Sequence, residues 1–236
     1  MKVKSALVLA NPKKQVALRV SSEVRAFLES RGVAISGSSP QLVITVGGDG
    51  TVLYNKRHYG VPFFCIGSTT SFICQAKFSN WKPKLLKALN WVRVERRLLL
   101  ETHINGRKMP LALNEVGIRN PEPRVLSIHL AVGRKHYAFR ADGLLFSTPT
   151  GSPAYCFSCN GKEMPRRARK YQIVAISPFR RLFPPTIVGQ NTPCTLRFSG
   201  TEKATLFIDG QTFGTVSERD ALRVSASRKA FYFVKV

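Results

Sequence analysis

Apolar positions recur along this chain with two different periods, and the change falls near residue 90. Residues 4–10 (Lys-Ser-Ala-Leu-Val-Leu-Ala) read as a buried strand. Val16, Val20, Val24, Phe27 and Leu28 follow at helical spacing, with Gly32 where a C-cap is expected. Leu42 to Val46 is a short, nearly continuous apolar run of the kind found in central parallel strands. A glycine turn then leads into a predicted short helix from Thr51, and residues 62–66 read as another strand. Asn80 is placed to cap a helix whose Trp81, Leu85, Leu86 and Leu89 share a face. Strands alternating with helices predict an α/β, Rossmann-like domain over residues 1–90.

Beyond that point the period becomes two. Leu98, Leu100, Thr102 and Ile104 alternate towards Asn105-Gly106, a strong hairpin signal, and Met109, Leu111 and Leu113 sit on the return strand. A second hairpin is predicted at Gly133-Arg134, with further β runs at 172–176, 194–198, 204–209 and 230–236. Residues 91–236 therefore read as a β-rich, sandwich-like domain, and the chain carries no repeat, low-complexity segment or long linker.

Composition narrows the classes. A chain of 236 residues with 44% hydrophobic positions can bury a real core and does not have the signature of disorder. No apolar run approaches the roughly 20 residues of a membrane span. The start resembles a signal peptide only briefly, because its apolar run is short and leads into Asn11-Pro-Lys-Lys14, so it is read as the first strand of a cytoplasmic protein. Five cysteines form no disulfide framework, and Cys156-Phe-Ser-Cys159 lacks the second pair that a zinc site needs. Charge is the outlying property, with 37 Lys and Arg against 13 Asp and Glu, a net +24. Residues 1–90 hold 13 basic and 3 acidic residues, so the excess is spread over both halves rather than carried by a tail. It favours anionic partners without choosing among nucleotides, polyphosphate, nucleic acid and acidic membranes.

Gly47-Gly-Asp-Gly-Thr51 directly follows a predicted strand, where a turn faces the ligand crevice of an α/β sheet. Glycines let the backbone approach phosphate oxygens, and exposed N–H groups favour anions. Asp49 sets a single carboxylate among them; read blandly, it caps the following helix.

Val46-Gly-Gly-Asp-Gly-Thr51 resembles the signature shared by NAD kinases and the diacylglycerol/sphingosine lipid kinases. The longer segment Asp142-Gly-Leu-Leu-Phe-Ser-Thr-Pro-Thr-Gly-Ser-Pro-Ala-Tyr155 resembles the NAD kinase branch specifically, as do Ala112-Leu-Asn-Glu-Val116 and Asp209-Gly-Gln211, in the same order along nearly the whole chain. The resemblance implies phosphoryl transfer from ATP, with polyphosphate as a second candidate donor, to the 2′-hydroxyl of the adenosine ribose of NAD, giving NADP. Asp49 would be the general base, with Gly50 against the dinucleotide beside it. Asn114 and Glu115 would hold the dinucleotide by hydrogen bonds, Arg140 and Asp142 would flank it, and Arg124 would add a further contact. Pro153, Ala154, Tyr155, Cys156, Phe157 and Ser158 would line its adenosine and nicotinamide ends, with Gln211 reaching in from the β domain. A divalent cation, Mg²⁺ with the donor, is implied, with no metal ligands supplied by the protein, and so is a homo-oligomer. Outside that family context Asn114 and Glu115 read as ordinary surface polar residues, Arg124 and Arg140 as part of the basic surface, and Tyr155 as core.

Three departures stand out. Phe64-Cys-Ile-Gly-Ser-Thr-Thr70 lacks the Asn and following Gly usual after the GGDGT helix, Pro153 replaces a Thr, and Lys162–Lys170 is unusually basic. Two other readings remain: a lipid kinase of the same superfamily, which would carry a hydrophobic acceptor cleft, and a basic nucleic-acid-binding protein on a degenerate kinase scaffold. Against the latter, the aromatic residues fall in apolar strand patterns rather than among Arg and Lys.

Overall fold

A computed structural model describes residues 2–90 and 93–236; residues 91 and 92, where the sequence places the start of the second domain, lie outside the described residues. The chain forms two compact units, residues 1–96 with 231–236, and residues 97–230.

In the first unit the order is β1 (Ser5–Ala10), α1 (Gln15–Glu29), β2 (Ala34–Ile35), β3 (Leu42–Val46), α2 (Asp49–Asn55), β4 (Phe63–Gly67), β5 (Ala76–Lys77) and α3 (Trp81–Asn90). Strands β2, β1, β3 and β4 lie side by side and all pair in parallel. β3 and β4 are buried along their whole length, which is why their sequences are continuous apolar runs rather than alternating ones. α1 presents Ala17, Val20, Val24 and Leu28 to this sheet's core, whereas Val16, expected on the same face, is 38% exposed. The buried stripe runs through Ala17, Val20, Ser21, Val24 and Leu28, so it starts one residue later than the apolar spacing suggests and leaves Val16 beside it. α2 begins at Asp49, two residues before the predicted start. Trp81, Leu85 and Leu89 of α3 are buried as predicted, but the Asn80 side chain turns back and accepts the Lys77 N–H at 2.9 Å.

The second unit is all β. β6 (Val94–Ile104) leads into it, followed by β7 (Arg107–Lys108), β8 (Glu115–Arg119), β9 (Leu126–Val132), β10 (Lys135–Ala141) and β11 (Gly143–Ser147). After α4 (Tyr155–Ser158) come β12 (Lys170–Ile176), a 3-10 turn (Phe179–Arg181), β13 (Thr186–Gly189), β14 (Cys194–Ser199), β15 (Lys203–Ile208), β16 (Gln211–Ser217) and β17 (Leu222–Val234). Both predicted hairpins are present: Asn105 and Gly106 have φ of 48° and 84°, and Gly133 has φ of 56°. The return strand after Gly106 is shorter than expected, pairing at β7 and then only through a bridge between Leu100 and Ala112.

One antiparallel sheet runs β13-β12-β11-β8-β15-β16, and β10, β9, β14 and β17 form a second antiparallel set. Inward residues of both, among them Val116, Leu144, Phe146, Ile128, Leu130 and Leu196, share one core. The second unit is thus the expected sandwich, with alternating burial along β9 and β14. β17 ends beside the first sheet, where Phe233 pairs in parallel with Phe63. Among the described residues no helix is long and apolar enough to cross a membrane.

Gly117, in the centre of the first antiparallel sheet, has no room for a side chain: a Cβ there would lie 2.5 Å from the Leu144 carbonyl oxygen and 2.5 Å from the Phe207 ring. Gly117→Ala is expected to lower unfolding free energy by about 1–3 kcal/mol through overpacking, measured as a shift of the urea midpoint.

Candidate functional site

The first unit places the predicted phosphate loop at the carboxyl end of β3. Gly47 and Gly48 have φ of 151° and 123°, conformations open only to glycine, and a Cβ on Gly47 would lie 2.6 Å from both Asn11 and Thr51 side-chain atoms. Asp49 follows in the first turn of α2, half-buried, and Gly50 is exposed beside it with open space around its Cα. The Asp49 carboxylate does not cap its own helix. It accepts N–H groups from Phe72 at 2.7 Å and Ile73 at 3.0 Å, and the Cys74 thiol at 3.5 Å. A cleft of about 540 Å³ opens next to the loop, lined by Asn11, Pro12, Lys13, Gly50, Thr51 and Tyr54 among others. Lys14 points its ammonium at the Gly47 carbonyl, 3.4 Å away.

In the second unit the organising group is Asp209. It sits in the tight turn between β15 and β16 with φ of 50°, is 4% exposed, and lies before Gly210 at φ 72°. Its carboxylate accepts the successive backbone amides of Leu113 (3.0 Å), Asn114 (2.6 Å) and Glu115 (3.3 Å). Its own N–H donates to the Glu115 carbonyl at 2.9 Å. The chain entering β8 is therefore fixed from both sides. The opposite wall is the turn Ser147–Ser152: Thr148 donates its N–H to the Asn114 carbonyl at 2.8 Å and its hydroxyl to the Leu113 carbonyl. Gly151 packs so closely that a Cβ would meet the Asn114 carbonyl oxygen at 2.3 Å, which explains a glycine there.

Asn114 and Glu115 are 6% and 4% exposed, yet Asn114 Oδ1 and Glu115 Oε2 are buried without a hydrogen-bond partner. Native interiors rarely leave such atoms unpaired, and here two lie on consecutive residues. Burial first, and the Asp209 charge second, push the Glu115 carboxyl up to about 8, against the Gly210 N–H, which acts the other way. Tyr155 lies across this spot, its ring 5.9 Å from Phe207, and the Arg119 guanidinium hydrogen-bonds its phenol. Burial raises the Tyr155 phenol, and it also pushes the Cys156 thiol up to about 12 and Cys159 to about 11, so neither sulfur of the CxxC pair is an activated thiolate.

The predicted residues thus fall into several places. Asn114, Glu115, Tyr155 and Cys156 gather around one spot; Pro153 and Ala154 lead into it, and Gln211 opens β16 beside the Asp209 turn. Phe157 and Ser158 point out of α4 into solvent. Asp142 stands at the far end of β11 from Ser147, about 17 Å away at strand spacing. Arg140 lies on β10 with its guanidinium 4.4 Å from the Phe179 ring, and Arg124 is exposed in the β8–β9 turn beside Glu122. Asp209, Arg119, Thr148 and Cys74 were not singled out as site residues from the sequence. Only Asp209 left a signal, an Asp-Gly pair between two strand patterns, which marks a left-handed turn.

Residues 113–236 match the family model of the ATP-NAD kinase C-terminal domain. The NAD kinase of Methanosarcina barkeri is 27% identical across 97% of this chain and 86% of its own length, and that of Methanospirillum hungatei is 30% identical across 83% and 74%. Among solved structures, yeast NADH kinase complexed with NADH has a TM-score of 0.90 at 16% identity, covering all of this chain and 84% of the other. An Archaeoglobus fulgidus NAD kinase in complex with ATP has a TM-score of 0.83 at 24% identity, covering 98% and 93%. Both share the α/β-then-β architecture. The fold is that of a kinase of the α/β-then-β class, and the chain belongs to the NAD kinase family.

The raised Glu115 carboxyl makes stability depend on pH with a defined sign. The folded state holds the proton more tightly than the unfolded chain, whose carboxyl keeps the ordinary value of 4.5, so this stabilisation is complete below pH 4.5 and is lost as pH rises through about 8. Glu115→Gln removes the dependence. Wild type is expected to lose on the order of 4 kcal/mol relative to this variant between pH 4.5 and pH 9, read from paired urea titrations.

Proposed function

We propose that this enzyme phosphorylates the 2′-hydroxyl of the adenosine ribose of NAD, with ATP as donor. The observation that carries the reading is the pair of buried, unpartnered oxygens on Asn114 and Glu115, held in place by Asp209 and faced by Tyr155. A dinucleotide offers hydroxyl and amide hydrogens to the Asn114 oxygen, an acceptor oxygen to the protonated Glu115 carboxyl and an aromatic face to the tyrosine. Pro153 to Cys156 and Gln211 line the same ligand, while Arg140, Asp142 and Arg124 contact its more distant parts.

The glycine turn Gly47-Gly48 lies against the donor's phosphates, and Asp49 takes the ribose proton. In a loose phosphoryl-transfer transition state the proton leaves late, so positioning outweighs base strength. The ribose oxygen bonds to the terminal phosphorus as the bond to the nucleoside diphosphate breaks, and the proton ends on Asp49. Among the described residues no three His, Cys, Asp or Glu side chains gather to hold a metal. A divalent cation, Mg²⁺ arriving with ATP as part of the substrate, would neutralise phosphate charge when bound. The enzyme works as a cytoplasmic homo-oligomer, and light scattering on the purified protein decides the oligomeric part.

Asp49→Asn is expected to lower kcat by about 10²–10⁴-fold with NAD binding retained. Turnover within a few-fold of wild type would remove Asp49 from the chemistry. Asn114→Ala and Asp142→Ala should weaken NAD binding by about 1–3 kcal/mol each, measured by titration calorimetry on folded variants.

Inorganic polyphosphate is a second candidate donor, because Arg166, Arg167, Arg169 and Lys170 are all exposed just after the Pro153–Ser158 segment. Exposed contacts are screened within roughly 8–10 Å near physiological salt, so NADP formation from polyphosphate should fall more steeply with added KCl than formation from ATP. No NADP from polyphosphate at any salt would restrict the enzyme to nucleotide donors.

A further inference from the structure

The segment between β4 and β5, which departs from the family pattern, is braced with unusual thoroughness. Lys77 Nζ donates to the carbonyls of Thr69 at 3.2 Å and Ser71 at 2.6 Å. Gln75 accepts the Cys65 N–H at 2.7 Å and donates to the Ile73 carbonyl at 3.3 Å, and Lys84 Nζ donates to the Gln75 carbonyl at 2.8 Å. With its carbonyls tied outward, the segment turns two amides and one thiol towards Asp49. A Cβ on Gly67 would meet Cys74 Sγ at 2.7 Å, so the sulfur rests directly on the backbone and has a fixed place.

Counting acceptor sites gives the two carboxylate oxygens different roles. Each oxygen offers two lone pairs. Oδ1 receives the Ile73 N–H and the Cys74 thiol, and is full; among the described residues Oδ2 receives the Phe72 N–H alone. Burial first, then the neighbouring Asp49 carboxylate, push the Cys74 thiol up to about 12, so it keeps its hydrogen and acts as a donor across the working pH range.

We propose that Cys74 is a positioning residue that fills the second lone pair of Asp49 Oδ1, leaving the free lone pair of Oδ2 to take the ribose proton. The proposal rests on Asp49 being the base. Cys74 touches no reacting atom; it orients the carboxylate, and the Lys77 bracing holds the thiol and both amides in place.

The test compares kcat and KM for NAD and ATP in Cys74→Ser, Cys74→Ala, Lys77→Met and Lys77→Arg, with Asp49→Asn as the control. Cys74→Ala should lower kcat about threefold to tenfold with both KM values unchanged, and Cys74→Ser, which keeps a donor, should stay within about twofold of wild type. Lys77→Met should show the same kcat-specific loss, partly restored in Lys77→Arg. As a readout independent of turnover, the S–H stretching band lost in Cys74→Ser should lie at lower frequency in wild type than in Asp49→Asn, where the acceptor is uncharged. If Asp49→Asn retains turnover, the base assignment itself is wrong. If Asp49→Asn is inactive but Cys74→Ala keeps wild-type kcat, or Cys74→Ser is as impaired as Cys74→Ala, or the S–H band does not move, the positioning role is overturned.

Discussion

One buried carboxylate accepting three consecutive backbone amides organises the second unit around its candidate site. Asp209 holds the amides of Leu113, Asn114 and Glu115 from a left-handed turn. An aspartate tolerates that backbone because its short side chain can hydrogen-bond nearby, and Gly210 then completes the turn. Hydrogen bonds to a buried charge are among the stronger ones in a protein, so the entry of β8 is rigid. That rigidity is what lets Asn114 and Glu115 keep side-chain oxygens buried and unpartnered instead of swinging round to satisfy themselves. The same negative charge helps keep the Glu115 carboxyl protonated through neutral pH.

The legibility of the fold from sequence follows burial. β3 and β4 are covered on both faces, so each is a continuous apolar run and was readable; α1 and α3 carry one-sided stripes and were readable too. Asn105-Gly106 and Gly133 announced their hairpins through residues that accept positive φ. The failures have local causes. α2 starts at Asp49 because the two preceding glycines, not a capping side chain, make the turn. Asn80 faces backwards because the Lys77 amide needs an acceptor more than the helix needs a cap. The site was legible only as motifs. Asp49, Asn114, Glu115 and Tyr155 stood within them, but the groups that hold these residues lie distant in sequence: residues 72–74 for Asp49, Asp209 for Asn114 and Glu115, and Arg119 for Tyr155. Single-sequence patterns carry period and turn chemistry, not the identity of a partner 95 residues away.

The departures from the family pattern also become interpretable. The missing Asn and Gly after β4 do not leave a loose loop, since Lys77, Gln75 and Lys84 tie it down with side-chain hydrogen bonds. Pro153 enters a turn already held by Thr148, whose hydroxyl accepts the amides of Thr150 and Gly151, so a missing amide at 153 costs the turn little. Most of the large positive charge is spread over exposed side chains; Arg97, 2% exposed and donating to the Thr150 hydroxyl at 3.4 Å, is buried.

β17 has a consequence for how the chain is made. Its last residues, Phe231–Val236, belong to the first unit, where Phe233 lies beside Phe63 and meets the Phe231 ring edge to face. The ribosome delivers them only after the whole of residues 97–230. A growing chain therefore exposes the edge of β4 around Phe63 throughout synthesis of the second unit, and an unpaired apolar strand edge is a template for association with other chains. Closure of the first unit is in effect a late, long-range event with a high contact order.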